Sequence, residues 1–493
     1  GQHHIERLVS HRACIVDPPA AKTRWTCRRS SASLETVTTP VAADYLVVGA
    51  GAMGMAFTDA LIDHADVRVA IVDRRHSAGG HWLDAYPFVR LHQASAFYGV
   101  ASTLMGGGRQ QQRGPESGLQ ERASASEVVS YYERVLFERM LPSGRVELFT
   151  SCEYVGEGAF VSRISGRRFE VRPGCRIVDA AYLAPDIPAT TPPPFSSANG
   201  VRVVPVNDLA RVTVAPERYV VVGSGKTATD ACVWLLARGV DPGAIRWVRP
   251  RDPWMLNRAV VQPDPSVFLG MVADTMQAAI AASSVDDLFL RLEAAGIMLR
   301  IDRSVAPTMA RAPTIATWEL DQLRTIEDVV RRGHIRRVEP GRIILDEGTV
   351  PLERDALVVH CAATGLKCPP RVPIWGPSRI TLQPIRAGFP CFGAALAGYV
   401  EATRTSDPEK NRLCPPTSYG NSMAEWATMN VMGARSVAAF SAEPDIKAWS
   451  NRVALNPSRI PDGYDASALA DALGRLKTHG APGLTRLAAL AGL

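Results

Sequence analysis

The stretch that decides the fold is YLVVGAGAMG, residues 45–54. An apolar run leads into three closely spaced glycines, a helical pattern follows to about His64, and a second apolar run ends at Asp73. Strand, glycine turn, helix and strand in this order predict a βαβ unit with parallel strands. This pattern makes an α/β fold the first expectation.

The three glycines Gly49, Gly51 and Gly54 have distinct physical tasks in such a unit. The first permits the tight turn, the second lets the backbone approach a diphosphate, and the third lets the helix pack closely on the strand. Asp73 ends the second strand, where an acid can accept hydrogen bonds from an adenosine ribose. A purely structural glycine turn would leave this acid unexplained, so the sequence predicts a dinucleotide site.

A second unit begins near Tyr219 with YVVVGSGKTATDACVWLLARG. Its glycine turn is Gly223-Ser224-Gly225-Lys226-Thr227-Ala228, and alanine at the third position is small enough for the same packing. GSGKT also resembles a Walker A loop, but that motif requires a glycine where this chain has Val220, inside the predicted strand. A second dinucleotide site is therefore predicted, and an NTPase is disfavoured.

The strand after this second turn ends in WVRPRD, residues 247–252. An NAD site would have an acid here, whereas Arg249 and Arg251 can grip a 2′-phosphate, so NADPH is favoured over NADH. Solvated loop arginines are the alternative interpretation, and the nearby Asp252 weakens the case for a phosphate site.

The segment that follows Asp73 is RRHSAGGHWLDAYPFVRLHQASAFYGV, residues 74–100. It contains a GG-x-W turn and a YP-x-x-R segment, and so it resembles the flavin-containing monooxygenase-like group of FAD- and NAD(P)H-dependent oxidoreductases. The residues that match are Gly79, Gly80, Trp82, Tyr86, Pro87 and Arg90. The resemblance extends over roughly residues 43–440.

The resemblance implies a set of site residues. Gly80, His81 and Trp82 would run along bound FAD, with Arg74 beside the ribose acid, and His92 and Gln93 would lie near the isoalloxazine ring as the candidate catalytic residues. His92 is equally well interpreted as an ordinary histidine in a loop, and Trp82 as an aromatic residue of the core.

The segment CAATG, residues 361–365, resembles the A-T-G turn at which this group returns from the nicotinamide domain to the FAD domain, which adds Thr364 and Gly365 to the cofactor-binding set. The fold predicted is α/β, with two Rossmann-like dinucleotide-binding domains, the NAD(P)H domain inserted in the FAD domain, and a helical C-terminal region. The domains expected are an N-terminal extension (1–41), the FAD domain in two parts (42–205 and 351–440), the NAD(P)H domain (206–350) and the helical region (441–493).

The function implied is that of an FAD-dependent, NADPH-consuming monooxygenase, which would use molecular oxygen through a flavin hydroperoxide to oxygenate a small organic substrate. The linker at residues 200–219 departs from the group, because it lacks the F-x-G-x-x-x-H element of true flavin monooxygenases and Baeyer–Villiger enzymes. An oxygen-independent FAD/NAD(P)H reductase and a non-catalytic FAD-binding protein are therefore the alternatives.

Composition limits the other classes of protein. The chain has 493 residues, and 55 Lys and Arg against 49 Asp and Glu leave a formal charge of +6, too dilute for a dedicated nucleic-acid binder. No apolar run of membrane-spanning length is present, so a cytoplasmic protein without a membrane partner is expected. The nine cysteines are scattered, so no metal site is expected. A homodimer is left open.

Two segments are expected to lie outside the ordered framework. Residues 1–41 mix His, Arg, Ser, Thr and Pro without periodicity and are interpreted as a plain extension, with a transit peptide as the less favoured alternative. Residues 105–118, MGGGRQQQRGPESG, are rich in Gly and Gln and are expected to form a mobile surface loop.

Overall fold

The computed structural model describes residues 38–493. Most of the predicted N-terminal extension lies outside these residues, but its last four, Thr38–Val41, form a strand that pairs in parallel with Arg168–Val171. No helix within residues 38–493 is long and apolar enough to cross a membrane.

The strands of the described residues are short and come from all parts of the chain. They are β1 (Thr38–Val41), β2 (Tyr45–Val48), β3 (Val69–Val72), β4 (Val146–Phe149), β5 (Cys152–Gly156), β6 (Ala159–Ser162), β7 (Arg168–Val171), β8 (Arg176–Asp179), β9 (Ser196–Ser197), β10 (Arg202–Pro205), β11 (Arg218–Val222), β12 (Ile245–Val248), β13 (Pro253–Asn257), β14 (Met298–Arg300), β15 (Met309–Ile315), β16 (Val329–Val330), β17 (Ile335–Glu339), β18 (Arg342–Leu345), β19 (Gly348–Pro351), β20 (Ala356–His360) and β21 (Arg379–Thr381).

The α-helices lie between these strands and dominate the last ninety residues or so. They are α1 (Ala52–His64), α2 (Ala125–Val135), α3 (Val206–Leu209), α4 (Lys226–Ala237), α5 (Pro265–Ala281), α6 (Val285–Ala294), α7 (Thr317–Leu323), α8 (Pro390–Thr403), α9 (Asp407–Leu413), α10 (Met423–Ser441), α11 (Pro444–Arg452) and α12 (Ala466–Leu490).

The first large sheet has the strand order β21-β8-β2-β3-β4, and all its neighbouring strands are parallel. The buried apolar strands β2 and β3 flank α1, as a βαβ unit requires. Helix α8 packs so closely on α1 that a Cβ atom at Gly398 would meet the backbone of Phe57. The glycine turn after β2 therefore rests on a close-packed layer of two helices.

The second large sheet has the order β10-β20-β11-β12-β16 and is also parallel throughout. An α/β fold with parallel sheets is thus confirmed. The chain leaves the first sheet after β8 and returns to it with β21. Strands β10 and β20 belong to this second sheet, although both lie outside residues 206–350, the range predicted for the NAD(P)H domain. The sequence did not indicate these two strands as part of the sheet, because pairing between distant segments is not visible in local sequence.

Three smaller sheets surround these two. One has the order β1-β7-β6-β5, a second β14-β13-β15, and a third β19-β18-β17-β9. Strands β17, β18 and β19 form an antiparallel meander that leads into β20.

Residues 105–121 fold back on themselves and are called the 105–121 hairpin below. Gln110 and Gln120 form an antiparallel bridge, and the Gln111 N–H donates to the Leu119 carbonyl at 2.8 Å. Glu116 near the tip is 5% exposed. Most residues of 105–118 are exposed, so the surface position expected for this segment is confirmed. The sequence did not indicate that the buried carboxylate of Glu116 attaches the segment to the rest of the fold.

Candidate functional site

The first glycine turn joins β2 to α1 with little spare room. Gly49 has a φ of 113°, a conformation that favours glycine. A Cβ atom on Gly54 would collide with the carbonyl oxygen of Gly49, so α1 can start this close to β2 only with glycine there. Gly51 ends the turn with extended backbone, and the N–H groups that follow it at the helix start attract anions.

The second glycine turn repeats this geometry. Gly223 has a φ of 135°, against 113° at Gly49. Gly225 has φ −88° and ψ −177°, and Gly51 has φ −85° and ψ −173°. In both turns the first glycine donates its N–H to the last residue of the neighbouring strand, at 2.8 Å for Gly49 and 3.0 Å for Gly223. The two predicted fingerprints are therefore the same local structure, built twice.

Asp73 follows β3 and holds the first turn in place. Its Oδ2 accepts a hydrogen bond from the Ala50 N–H at 2.7 Å, and its Oδ1 accepts one from the Arg75 N–H at 2.8 Å. The side chain is buried, whereas the neighbouring Arg74 is exposed. A carboxylate offers about four lone-pair positions, so acceptor capacity remains for hydroxyl groups brought to the turn.

The GG-x-W segment lies against the first turn. The Gly79 N–H donates to the Ala50 carbonyl at 2.9 Å, and a Cβ atom on Gly80 would come within 2.8 Å of the Gly51 Cα. The structure thus brings Gly51 and Gly80 together, although 28 positions separate them in the sequence. The two glycines therefore bring bare backbone together at the place where the resemblance implies a bound diphosphate.

His81 and Trp82 continue this segment as a short 3₁₀ helix. The Trp82 Nε1–H donates to the Tyr98 hydroxyl at 2.6 Å, which fixes the indole ring. Burial, together with the positive charge of Arg75, lowers the pKa of His81 to about 4. The imidazole of His81 is therefore neutral at pH 7 and can both donate and accept a hydrogen bond.

Lys226 and Thr227 open α4 in the second turn, and both have partners. The Lys226 ammonium forms ion pairs with Asp230 and with Glu319, the latter at 3.5 Å. Thr227 hydrogen-bonds to the Tyr86 hydroxyl, which itself donates to Asp230 at 2.7 Å. The lysine of GSGKT is thus neutralised by carboxylates on its own helix and on α7.

The arginines after β12 differ in their surroundings. Arg251 is exposed, whereas Arg249 is 1% exposed, stacks over the Trp247 ring at 4.7 Å and pairs with Asp252 at 2.8 Å. The Nε and Nη1 atoms of Arg249 have no hydrogen-bond partner within the described residues, and burial lowers its pKa. Arg331, which follows the neighbouring strand β16, bonds the other oxygen of Asp252 at 2.9 Å.

His92 and Gln93 lie in the interior, near the second turn. Arg258 Nε donates to the His92 carbonyl at 3.0 Å, and the Thr314 hydroxyl donates to the same oxygen. Burial and the positive charges of Lys226 and Arg258 lower the pKa of His92 to about 3, so its imidazole is neutral at pH 7. Gln93 is 5% exposed.

Thr364 and Gly365 lie where the chain leaves the second sheet. Gly365, with a φ of 69°, exchanges two backbone hydrogen bonds of 3.1 Å with Asp186. Thr364 is exposed. Asp186 is on the segment that leads from the first sheet to the second, so the two crossing segments run side by side at this point.

A buried charge cluster escaped the sequence interpretation. The guanidinium of Arg258, 1% exposed, forms ion pairs with Glu116 and, at 2.7 Å, with Glu319. Arg122 Nη2 pairs with Glu116 at 2.7 Å, and the Trp318 Nε1–H donates to Glu116 at 3.2 Å. Although burial opposes ionisation, the charges of Arg258 and Arg122 lower the pKa of Glu116 to about 2.

The members of this charge cluster come from separate parts of the chain. Glu116 is in the 105–121 hairpin, Arg258 follows β13, and Glu319 is in α7. The one signal in the sequence is that Arg258 and Glu319 interrupt apolar runs, in MLNRAVV and TWEL. A charge in an apolar run indicates a buried partner but does not identify it.

These features define the chain as an α/β protein whose two parallel sheets carry the same glycine turn at the start of a helix. No family model matches the sequence. The chain is 43% identical over 416 residues to Uncharacterized protein Rv2000 of Mycobacterium tuberculosis. This alignment covers 84% of this chain and 77% of that protein. The chain is equally similar to Uncharacterized protein Mb2023 of Mycobacterium bovis. The chain belongs to the family of these mycobacterial proteins.

Solved structures with a similar fold include several oxygenases. A polycyclic ketone monooxygenase from Thermothelomyces thermophila has 14% identity and a TM-score of 0.48 and covers 91% of this chain and 90% of its own. A flavin monooxygenase mutant from Stenotrophomonas maltophilia has 14% identity, a TM-score of 0.40 and coverages of 83% and 98%. A bacillithiol disulfide reductase from Bacillus cereus has 11% identity, a TM-score of 0.40 and coverages of 66% and 78%.

Proposed function

We propose that the protein is an FAD-dependent, NADPH-consuming oxidoreductase that oxygenates a small organic substrate with molecular oxygen. The observation that carries this proposal is the repeated glycine turn, with matching backbone angles at Gly49 and Gly223 and at Gly51 and Gly225. One turn suffices for a protein that binds one dinucleotide. Two turns in two parallel sheets fit an enzyme that passes electrons from one dinucleotide to another.

The residues around the first turn fit FAD. Gly51 and Gly80 bring bare backbone together at the start of α1, and Asp73 retains acceptor capacity for ribose hydroxyls. When bound, FAD would supply hydride acceptance and the reaction with oxygen. The protein's part is to orient the ring system and keep water away from it.

The residues around the second turn fit NADPH. A Cβ atom on Gly225 would meet nothing within 4 Å, so the start of α4 is open to a diphosphate. Ser224 Oγ and the Nε and Nη1 atoms of Arg249 are buried without hydrogen-bond partners in the described part of the chain. Unpaired buried donors cost about 1–3 kcal/mol each, and an anionic phosphate beside Arg249 and Arg331 would remove that cost.

His92 and Gln93 are proposed to act as uncharged hydrogen-bonding groups beside the flavin. Because the pKa of His92 is lowered to about 3, this imidazole is neutral at pH 7. It therefore has one N–H donor and one acceptor nitrogen and carries no positive charge to attract an anion. Gln93 offers an amide that donates and accepts. The backbone of this segment is fixed by the Arg258 bond to the His92 carbonyl.

We expect Asp73→Ala to yield colourless or flavin-poor protein, because the variant loses both the ribose acceptor and the bond that orders the turn. Flavin absorbance per mole of purified protein measures this. Asp44→Ala is the matched control, since Asp44 also accepts a backbone N–H, from Arg68, but does so before β2, at the opposite end of the strands. Full flavin occupancy in Asp73→Ala would mean that FAD is not bound at the first turn.

We expect Arg251→Ala to raise the KM for NADPH by about tenfold or more and to leave the KM for NADH nearly unchanged, since a charged hydrogen bond contributes about 1.5–3 kcal/mol. Steady-state kinetics with both coenzymes measure the change. Arg211→Ala is the control, because that arginine is 80% exposed and pairs with Asp208 on its own segment. Equal losses with both coenzymes would exclude a phosphate contact for Arg251.

We expect Gln93→Ala to keep FAD and anaerobic reduction by NADPH but to release more hydrogen peroxide per NADPH consumed, because the amide no longer stabilises the oxygen-reacting site. His92→Ala should have a milder effect. Peroxide and oxygenated product are measured together for each variant. Unchanged coupling in both variants would remove these residues from the reaction site.

Two alternatives are tested in the same assays. An oxygen-independent reductase would turn over equally well without oxygen and would put no oxygen atom into its product. A non-catalytic FAD-binding protein would keep an oxidised flavin when NADPH is added under nitrogen. Substrate-stimulated NADPH oxidation with incorporation of labelled oxygen would exclude both.

A further inference from the structure

A cavity of about 380 Å³ lies beside α4, the helix that begins at the second glycine turn. Its walls come from the YP-x-x-R segment, the 105–121 hairpin, α4 and α7. This volume is within the range of about 300–1,000 Å³ that is usual for small-molecule pockets. Nothing in the proposed cofactor chemistry uses this cavity, so its lining must indicate what it binds.

Three aromatic side chains line the cavity, and each is left half-buried. Phe88 and Trp234 stack with ring centroids 4.7 Å apart and planes 19° apart. Trp318 donates its Nε1–H to Glu116 at 3.2 Å, so its only polar atom is already used. Arg238 also lies over the Trp234 ring, at 5.6 Å from its centroid. Trp318 has no stacking partner within the described residues, so its ring is the flat apolar surface that suits a planar ligand.

Two polar residues of the lining, Arg122 and Gln111, donate hydrogen bonds to protein partners. Arg122 donates through Nε and Nη2 to Glu116, at 2.9 and 2.7 Å, and through Nη1 to the Leu91 carbonyl at 2.9 Å. Gln111 Nε2 donates to Glu116 at 3.1 Å. In contrast, Glu319 Oε1 lies 3.5 Å from its Lys226 partner, a long contact that leaves this oxygen able to accept. A ligand that brings a donor of its own would therefore find an acceptor in Glu319.

The buried charges at the cavity are balanced. Three carboxylates line it and three cations pair with them, namely Glu116, Asp230 and Glu319 with Arg122, Arg258 and Lys226. Arg90 also lines the cavity but is exposed, so water solvates its charge. Each carboxylate already has a cation, and an added anion would face all three carboxylates. The lining is therefore matched by an uncharged ligand.

We propose that this cavity binds a planar, uncharged aromatic compound that carries one N–H or O–H donor. The ring lies against the aromatic side chains, and the donor bonds to Glu319. The proposal concerns binding alone and does not depend on the flavin chemistry proposed above.

Indole, benzofuran and indole-3-carboxylate test the proposal by calorimetric titration of the full-length protein as purified. Indole has the ring and the donor, benzofuran has the same shape without the donor, and the carboxylate adds a negative charge. We expect indole to bind at least threefold more tightly than benzofuran and at least tenfold more tightly than indole-3-carboxylate. Equal affinity for the three compounds, or no binding of indole at millimolar concentration, would overturn the proposal.

Two substitutions at Trp318 locate the site. Trp318→Leu should weaken indole binding at least tenfold, whereas Trp318→Phe, which keeps a flat ring, should stay within about threefold of the parent. Phe137→Leu is the control, because Phe137 is an aromatic residue 63% exposed and outside the cavity lining. Unchanged indole affinity in Trp318→Leu would place the bound indole elsewhere and refute the site. If Trp318→Leu does not fold, the ligand series and Trp318→Phe still decide, since a large loss in Trp318→Phe would contradict binding to the ring face.

Discussion

Gly54→Ala is expected to destabilise the protein by about 3 kcal/mol, the upper end of the usual range for overpacking. The added Cβ atom would collide with the carbonyl oxygen of Gly49, a backbone atom that cannot rotate away. Relief requires α1 to move from β2, and α8, which packs on α1, would have to follow. Denaturant unfolding monitored by circular dichroism measures the loss.

Gly51→Ala is the matched comparison within the same turn. Its backbone angles suit any residue, and the nearest atom to an added Cβ is the Gly80 Cα at 3.5 Å. We therefore expect stability without cofactor to change by less than about 0.5 kcal/mol, while flavin occupancy falls, because the methyl group enters the space proposed for the diphosphate. A Gly51→Ala protein with full flavin occupancy would contradict this position of the diphosphate, and a stable Gly54→Ala protein would contradict the packing.

Arg258→Met is expected to destabilise the protein by about 3–5 kcal/mol, the usual result of removing one partner from a buried ion pair. Glu116 and Glu319 would each lose a cation, and the His92 carbonyl would lose its 3.0 Å bond to Nε. Thermal or denaturant unfolding measures the loss of stability. The 105–121 hairpin should also become sensitive to proteases, because Glu116 no longer attaches it to β13.

A compensated variant separates charge burial from packing. Arg258→Met combined with Glu319→Gln removes one charge of each sign and leaves Glu116 paired with Arg122 and Lys226 paired with Asp230, so it should recover a large part of the lost stability. Arg251→Ala serves as the surface control and should change stability by less than about 0.5 kcal/mol. No recovery in the combined variant would mean that Arg258 contributes through its hydrogen bonds to backbone and Thr314 rather than through its charge.

The two glycine turns were predictable because each is specified by residues close together in sequence. Gly49 must have a positive φ, Gly54 must lack a Cβ, and Asp73 must end the next strand, and all three requirements can be seen in one stretch. The parallel sheets follow from the same units, since a βαβ connection joins parallel strands.

The outer limits of the second sheet could not be predicted in the same way. Strand β10 joins it by pairing with β20, more than 150 residues later, and only the folded chain brings them together. The 105–121 hairpin illustrates a related difficulty, because its Gly- and Gln-rich composition is typical of a loose loop. A single carboxylate, Glu116, overrides that composition by pairing with arginines that local sequence cannot connect to it.

The arginines after β12 show a third limit. Two arginines two positions apart look equivalent in the sequence, yet Arg249 is stacked on Trp247 in the interior and Arg251 is in solvent. Alternation along a strand would place residues two positions apart on the same side. Strand β12 ends at Val248, however, and both arginines lie in the irregular segment after it, so the pattern does not apply to them. The sequence predicted a basic site here without indicating which guanidinium would remain free.

The paired backbone bonds between Asp186 and Gly365 have a consequence for how this architecture could arise. The segment between them contains the whole second sheet, yet its two ends are neighbours, since Cα atoms of opposed antiparallel residues are only about 4.5–5.5 Å apart. This is the geometry of an inserted module, whose gain or loss would leave the segments at Asp186 and Gly365 already positioned to be rejoined by a short link. An ancestor with the first sheet alone could have acquired the second in one genetic event.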